Sequence, residues 1–164
     1  MNAIRRLREE DWPAVWSILR ATFESGDTYA FAPGSGEAEM HRAWVEVPAA
    51  AYVAVAPDGD ILGTYHIKAN QPGLGSHVCN CGYVVAAAAQ GCGVATALCE
   101  HSQAVAVDMG FRAMQFNLVV STNERAVRLW KKLGFAIAGT LPGAFRHATL
   151  GYVDAYVMYK TLVT

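Results

Sequence analysis

Gln90-Gly91-Cys92-Gly93-Val94-Ala95 is the stretch that decides the fold of this 164-residue chain. It follows an apolar strand pattern that ends in Val84-Val85 and four alanines, and it opens an apolar helical pattern. Free N–H groups at a helix N-terminus bind anions, and the helix dipole favours them further. Gly91, Gly93 and Ala95 have almost no side chain, so the backbone of 90–96 is predicted to cradle a pyrophosphate.

The glycines of this stretch also suit a tight turn or close helix packing, and a G-x-G pair alone leaves both interpretations open. Two other nucleotide-binding patterns do not fit. The sequence has no G-x-x-x-x-G-K-[ST], and a dinucleotide fold needs a third glycine and an acidic residue about 20 residues on. Asp108 has roughly that separation, but it falls inside the predicted helix rather than at a strand end.

The pattern around the cradle predicts one mixed α/β domain over 1–164. A strand over 77–85 precedes the cradle, a helix over 91–109 begins in it, and a strand over 112–120 follows, which makes a β–α–β crossover. A capping box, Ser121-x-x-Glu124, marks the start of the next helix. The remaining predicted elements are strands over 1–7, 51–56, 61–69, 135–141 and 152–160, helices over 11–23, 37–47 and 121–133, and a loop over 142–151.

Two motifs carry a resemblance to a known family. Gln90-x-x-Gly93-x-Ala95 resembles the acetyl-CoA pyrophosphate signature of the GNAT superfamily of N-acetyltransferases. Asn123-x-x-Ala126-x-x-Leu129-Trp130-x-x-Leu133-Gly134-Phe135 is similar to the second motif of that superfamily. The resemblance implies an α/β GNAT fold. In that fold a central, mixed, mostly antiparallel sheet of about seven strands is flanked by about four helices, with a V-shaped splay between strands 4 and 5.

The resemblance also implies how acetyl-CoA binds as the cosubstrate. It would lie in the gap between the strands 77–85 and 112–120, with its pantetheine arm paired to backbone and Asn123 beside the arm. Asn123 as a plain helix N-terminal cap is the alternative. The cofactor-binding residues implied in this way are Tyr83, Val84, Val85, Gln90, Gly91, Cys92, Gly93, Val94, Ala95, Thr96 and Asn123.

A closer resemblance covers 63–142. Gly63-Thr64-Tyr65, Ile67-Lys68, Cys79-Asn80-x-Gly82, Phe116-Asn117-Leu118-Val119 and Thr122-Asn123 resemble the fungal N-acetyltransferases that act on azetidine-2-carboxylate and related imino acids. This resemblance implies that the acetyl group goes to the amine of a small amino- or imino-acid-like metabolite. Two rival functions stay open: acetylation of a protein N-terminus or Lys side chain, and a regulatory domain that binds acyl-CoA without turnover.

Two catalytic groups that are common in this superfamily are replaced here. Where many members have a Tyr that protonates the leaving thiolate, this chain has Trp130, whose indole N–H is not a usable acid, so packing is its expected role. The strand 77–85 has no carboxylate but carries Asn80, and the strand 112–120 carries Asn117. We predict that both carboxamides are catalytic and hold the acceptor amine or carboxylate. The alternative is that each only hydrogen-bonds backbone where the strands part.

Further candidate residues surround the expected cleft. Tyr29 and Phe31 lie in a Gly-rich loop and either line the acceptor pocket or only anchor their loop. His77, Cys79 and Cys81 share one strand face, but Cys-x-Cys lacks the usual zinc-ligand spacing, so buried thiols and no metal are expected. The weaker candidates for a catalytic base are His77, His147, Tyr152 and Asp154.

Composition narrows the classes of partner. The chain is 53% hydrophobic and 16% charged, with a net charge of −1 and no long basic run, so no nucleic-acid partner is expected. No membrane partner is expected either, because the longest small-apolar run is too short to span a bilayer. The N-terminal segment shows no signal peptide, so the four cysteines are expected to be thiols in the cytoplasm. The expected partner is a small-molecule amine, and a homodimer is an assembly that the sequence leaves open.

Overall fold

The structure, a computed structural model, describes residues 2–163. Its strands are β1 (Ala3–Arg6), β2 (Ala50–Val55), β3 (Ile61–Ala69), β4 (Val78–Val85), β5 (Ala113–Val120), β6 (Ala136–His147) and β7 (Gly151–Thr161). They form one seven-stranded sheet in the order β1-β2-β3-β4-β5-β7-β6. Of these neighbouring pairs, β4 with β5 is parallel and the others are antiparallel. This is the mixed, mostly antiparallel sheet that the sequence predicted.

The helices of the described chain are α1 (Trp12–Ser25), α2 (Glu37–His41), α3 (Val94–Asp108) and α4 (Glu124–Lys132). A π-helical turn, Arg42–Glu46, continues α2. In α1, Val15, Leu19 and Phe23 recur at helical spacing and are all buried, so this face anchors the helix on the sheet. Gly26 ends α1 with φ +64°, the left-handed conformation of a helix C-terminus. The helices within residues 2–163 are too short or too polar to cross a bilayer.

Each face of the sheet carries its own core. On the face covered by α1 and α2, called the α1/α2 face, the buried side chains include Val15, Leu19, Trp44, Val53 and Val84. On the opposite face, called the α3/α4 face, they include Tyr65, Cys81, Leu98, Phe116 and Trp130. Strand β4 contributes to both cores, because successive side chains of a strand point to opposite faces.

Strands β4 and β5 part soon after they begin. Their parallel pairing consists of Val78 with Ala113 and Cys79 with Met114, and it goes no further. The parting leaves a V-shaped gap between the two strands, as the sequence predicted. The α/β GNAT fold expected from the motifs is therefore confirmed, whereas the single-domain extent of 1–164 stays a prediction.

The predicted loop over 142–151 is wrong as far as His147, because β6 continues through it. Phe145 pairs with Val153, and His147 pairs with Gly151 at the start of β7. A register shift between Leu141 and Phe145 accommodates Pro142, which has no N–H to donate to the ladder. The strand therefore bends at the proline instead of ending there.

The start of α4 also differs from the prediction. Asn123, rather than Ser121, is the N-cap, and its Oδ1 accepts from the Ala126 N–H at 3.3 Å. Asn is at least as good an N-cap as Ser, so the capping box predicted at Ser121 is not used. A contact from Asn123 to a pantetheine arm stays a prediction.

Candidate active site

The turn that precedes α3 has the geometry of an anion cradle. Gly91 and Gly93 have φ values of +82° and +80°, a left-handed conformation that favours glycine. A Cβ on Gly93 would meet no atom within 4 Å, so close packing does not explain this glycine. The first bond of the helix runs from the Ala97 N–H to Gly93 O, which leaves the N–H groups of 94–96 without an intrahelical partner. This open backbone fits a pyrophosphate.

A cation that the sequence analysis missed lies beside the cradle. A Cβ on Gly91 would lie 3.4 Å from Nη2 of Arg125, in the first turn of α4. Within residues 2–163 this exposed guanidinium forms no salt bridge. An arginine binds phosphate oxygens in a fork, so Arg125 strengthens the fit to a pyrophosphate. The exposed side chains of Gln90 and Cys92 flank Gly91 on either side.

The backbone of β4 presents hydrogen-bonding groups to the gap. The Ala86 N–H donates to Leu62 O at 2.9 Å, which fixes the phase of the β3–β4 ladder. Bonded residues alternate along an antiparallel strand, so the peptide groups of Tyr83 and Val85 point away from β3 and into the gap. They suit the pairing with a pantetheine arm that the resemblance implies. Val84 bonds β3 instead and buries its side chain in the α1/α2 core, so it adds no polar group to the gap.

Tyr29 reaches this backbone from the loop between α1 and α2. Its phenol donates to Tyr83 O at 3.0 Å, and burial raises the pKa of Tyr29, so the phenol stays a neutral donor. Phe31 packs on Phe23, with 5.0 Å between ring centroids, and stacks beside Tyr29. These contacts anchor the loop, which is one of the two roles expected for Tyr29 and Phe31. Their contact with an acceptor stays a prediction.

On the α3/α4 face, β4 packs against aromatic side chains. Trp130 is 9% exposed, and its ring centroid lies 5.2 Å from that of Tyr83 and 5.0 Å from that of Phe116. The Tyr83 phenol shares a 2.7 Å hydrogen bond with Ser102 Oγ, and burial raises the pKa of Tyr83 well above its usual range. Trp130 therefore has the packing role that its chemistry predicted.

The two predicted carboxamides lie at the narrow end of the gap. Asn80 Nδ2 donates to Gln115 O at 2.9 Å, across the point where β4 and β5 part. Within residues 2–163 its Oδ1 has no hydrogen-bond partner and is available to a ligand. Asn117 is exposed, donates to Asn70 Oδ1 at 2.7 Å and accepts from Gln115 Nε2 at 3.0 Å. Asn80 thus hydrogen-bonds backbone, as the alternative interpretation expected, but its Oδ1 remains free to accept another hydrogen bond. The catalytic roles of Asn80 and Asn117 stay predictions.

These carboxamides belong to a larger polar patch on the α1/α2 face. Lys68 lies directly across the β3–β4 ladder from Asn80, so the two side chains share this face. The patch, called the polar floor from here on, consists of Lys68, Asn70, Asn80, Gln115 and Asn117. It contains one cation, amide groups and no carboxylate. A polar ligand resting on this floor would lie next to the gap-facing backbone of β4.

His66 is a buried polar residue next to the floor that the sequence analysis missed. It is 7% exposed, and its Nδ1 has no hydrogen-bond partner within residues 2–163. A Cβ on Gly82 would lie 2.7 Å from His66 Nε2 and 2.9 Å from Tyr29 Oη, so the glycine lets both polar tips converge over β4. Burial, with a smaller effect of Lys68, lowers the pKa of His66 from its ordinary value of 6.5 to about 3. No sequence pattern marks this residue, because a single His in an apolar strand is usually a core residue.

The weaker candidates for a base lie just before β4 and in the β6–β7 hairpin, and their catalytic role stays a prediction. His77 is exposed just before β4, at the end where the strands are paired. His147 Nδ1 accepts a hydrogen bond from the Thr149 N–H in the β6–β7 turn, and Asp154 Oδ1 accepts from the Gly143 N–H. These two side chains stabilise the hairpin. Within residues 2–163 no three His, Cys, Asp or Glu side chains are grouped to hold a metal ion.

Comparison with known proteins agrees with this geometry. Residues 2–135 match the model of the acetyltransferase (GNAT) family. The chain belongs to the GNAT acetyltransferase family. Its cradle, its V-shaped gap and the gap-facing peptides of β4 are therefore parts of a GNAT acetyltransferase domain.

Three relatives illustrate how far the similarity of this GNAT domain extends. N-acetyltransferase aca1 of Schizosaccharomyces pombe is 40% identical over 98 residues, which are 59% of this chain and 47% of that protein. The match thus spans about half the length of that curated relative. A GCN5-related N-acetyltransferase from Kribbella flavida has a TM-score of 0.93 and 41% identity, over 98% of this chain and 97% of that one. A phosphinothricin acetyltransferase from Sinorhizobium meliloti, solved with acetyl-CoA, shares the fold at 20% identity with a TM-score of 0.86, over 99% of this chain and 89% of that one.

Proposed function

We propose that this GNAT domain transfers the acetyl group of acetyl-CoA to the amine of a small amino or imino acid. The observation that supports this proposal is the polar floor at the narrow end of the β4–β5 gap. There Asn80 Nδ2 donates to Gln115 O of β5 at 2.9 Å, across the parting strands, and its Oδ1 stays free. A carboxamide oxygen accepts hydrogen bonds from an amine without taking its proton, so Asn80 can orient the attacking nitrogen.

The proposed reaction joins the acceptor nitrogen to the acetyl carbon while the thioester C–S bond breaks. The acceptor starts as an ammonium ion and loses two protons in all, one to solvent and one that neutralises the departing CoA thiolate. An alkyl ammonium has a pKa about three units above neutrality, so forming the free amine costs about 4 kcal/mol at pH 7. The active site has to lower or offset this free-energy cost before the attack can occur.

The chain offers a water relay rather than a side-chain base for this proton. Strand β4 carries no carboxylate, and burial keeps His66 neutral but makes it a weak base. The amide oxygens of Asn80 and Asn117 can hold a water beside the acceptor nitrogen, which is the proton route that we propose. Tyr29 reaches β4 from the α1–α2 loop and donates to Tyr83 O. Activity should consequently rise with pH as more of the acceptor becomes free amine.

An acceptor screen tests the proposal directly. The chain is mixed with acetyl-CoA and a panel of free amino acids that includes azetidine-2-carboxylate and proline, and the release of CoA thiol is measured. We expect turnover with at least one small acceptor. Peptides with free N-termini or Lys side chains form the matched arm of the screen. Faster turnover of peptides would favour the protein-acetylating rival, and acetyl-CoA binding without turnover of any amine would favour the regulatory rival.

Two further features of the function are proposals as well. We propose a cytoplasmic location, supported by the four cysteines, which are free in the structure and persist as thiols in a reducing compartment. A homodimer stays a prediction, and sedimentation equilibrium with and without acetyl-CoA would test it.

A further inference from the structure

One row of side chains on β3 runs along the α1/α2 face toward the polar floor. It consists of Thr64, His66 and Lys68, which share this face because they alternate along the strand. Thr64 is fully buried and accepts a hydrogen bond from Trp44 Nε1 at 3.0 Å. Lys68 is the half-buried, outer member of the row. The row therefore runs from the buried core to the ammonium group of Lys68 at the edge of the polar floor.

Lys68 has no counter-ion in the protein. Among residues 2–163, no carboxylate oxygen lies within 4 Å of its ammonium group, and the ammonium makes no hydrogen bond to the protein. The neighbouring floor residues are neutral amides. A half-buried cation that lacks a partner loses hydration without recovering it, so this arrangement suits an anion that arrives from outside.

The neighbour on the core side of Lys68 cannot supply that anion or compete for it. His66 is uncharged near neutral pH, because burial lowers its pKa to about 3. Its Nε2 points over Gly82, beside the Tyr29 phenol, which is itself a donor to Tyr83 O. Within the polar floor, the charge that an acceptor would meet is therefore that of Lys68.

The direct opposition of Lys68 and Asn80 on one face suits an α-amino acid. Directly opposed residues of an antiparallel pair have Cβ atoms about 4.5–5.5 Å apart, and their side chains can grip neighbouring groups of one ligand. With the acceptor nitrogen at Asn80 Oδ1, Lys68 is the directly opposed residue that carries a positive charge for the carboxylate. We propose that Lys68 is the carboxylate subsite of the acceptor and selects free amino or imino acids over amides and peptide N-termini. This inference rests on the function proposed above.

A pair of acceptors that differ only at the carboxyl group tests the subsite. Azetidine-2-carboxylate and azetidine-2-carboxamide are compared by kcat/KM in the unaltered chain and in Lys68→Met, Lys68→Arg and Lys132→Met. Lys132 is an exposed lysine on α4 and serves as the matched control. We expect Lys68→Met to lower kcat/KM for the acid about 10- to 100-fold, the usual cost of losing a charge-assisted contact, mainly through KM. The carboxamide should change less than about twofold, and Lys68→Arg should keep most of the preference for the acid.

A binding measurement without turnover provides a second readout. N-acetyl-azetidine-2-carboxylate, the product of the reaction, cannot be acetylated again, so its effect on the Tm reports binding alone. It should raise the Tm of the unaltered chain and of Lys132→Met but not that of Lys68→Met. Equal loss of acid and carboxamide turnover in Lys68→Met, or no loss of either, overturns the subsite and leaves the acetyltransferase function standing. Absence of turnover with both compounds in the unaltered chain overturns the small-acceptor function and the subsite together.

Discussion

The two faces of β4 differ in polarity although they belong to one eight-residue strand. Toward α3 and α4, Cys81 and Tyr83 are packed among thiols and aromatic rings, and the phenol is fully engaged with Ser102. Toward α1 and α2, Asn80 keeps a free amide oxygen and Gly82 leaves room for two polar tips. Between the faces, the peptide groups of Tyr83 and Val85 point into the gap.

The difference shows how one strand can serve two substrates. The packed face fixes the position of the backbone, and a fixed backbone is what a pantetheine arm requires. The polar face contributes side chains, which can change from one acceptor to another without moving the strand. We therefore expect substitutions on the α1/α2 face to alter catalysis and acceptor choice, and those on the α3/α4 face to leave both nearly intact.

The largest expected effect is that of removing a carboxamide from the polar floor. Asn80→Ala and Asn117→Ala should each lower kcat about 10²–10³-fold, the usual cost of losing a polar contact in the transition state. Acetyl-CoA affinity should change only a few-fold, because neither side chain belongs to the cradle. The measurement is steady-state kinetics with the best acceptor, with acetyl-CoA titration and thermal melting as controls. If both variants keep near-normal kcat/KM, the two residues are structural and the floor is not the acceptor site.

The next effect concerns the buried imidazole of the same face. The pKa of folded His66 is about 3 and that of an unfolded His about 6.5, so below pH 6.5 the unfolded chain binds a proton that the folded chain does not. Stability is therefore lost as the pH falls, and at pH 5 the loss due to His66 is about 2 kcal/mol. His66→Gln should lose about that much less than the unaltered chain between pH 7 and pH 5. Urea unfolding at the two pH values measures this, and equal losses would show that His66 is charged or exposed in the folded state.

A tenfold effect is expected at the cradle, outside both faces. Gly93→Asp places a negative charge where the pyrophosphate is expected, at a position whose Cβ meets open space. Asp tolerates a left-handed φ better than most residues, so the variant should fold. Calorimetry should show at least about a tenfold loss of acetyl-CoA affinity, a change of about 1.4 kcal/mol or more. Arg125→Gln should weaken binding in the same direction, and unchanged binding in folded Gly93→Asp would refute the cradle.

The smallest effect is predicted for the packed face. Trp130→Phe and Trp130→Tyr should change kcat less than about threefold, because Trp130 contributes packing and no proton. Melting temperature serves as the control for the lost ring contacts with Tyr83 and Phe116. A hundredfold gain with Trp130→Tyr would reveal a vacant proton-donor position on this face, and the comparison between the two faces would fail.

The fold and the cofactor side were predictable because their signals are local. Gly93 and Asn123 lie in short motifs whose spacing reports a strand, a turn and a helix start, and the V-shaped gap came with the resemblance. The course of β6 was not predictable, since Pro142 and Gly143 look like a loop unless the bulge that accommodates them is known. The acceptor side was only half predictable. Asn80 and Asn117 stood out as polar residues in apolar strands, whereas Lys68 and His66 gain their significance from neighbours far away in the chain, as does Arg125 beside the cradle.

Gly82 also constrains the order in which this protein can change. Any side chain at position 82 would collide with His66 Nε2 and Tyr29 Oη, two polar tips supplied by distant parts of the sequence. A single substitution at 82 is therefore harmful on its own, and it becomes acceptable only after smaller residues have appeared at both 29 and 66. Mutational paths to a new acceptor specificity should consequently begin in the α1–α2 loop and on β3 and reach β4 last. A library that randomises 29, 66 and 82 together can cross this barrier, whereas one that changes 82 alone will stop at it.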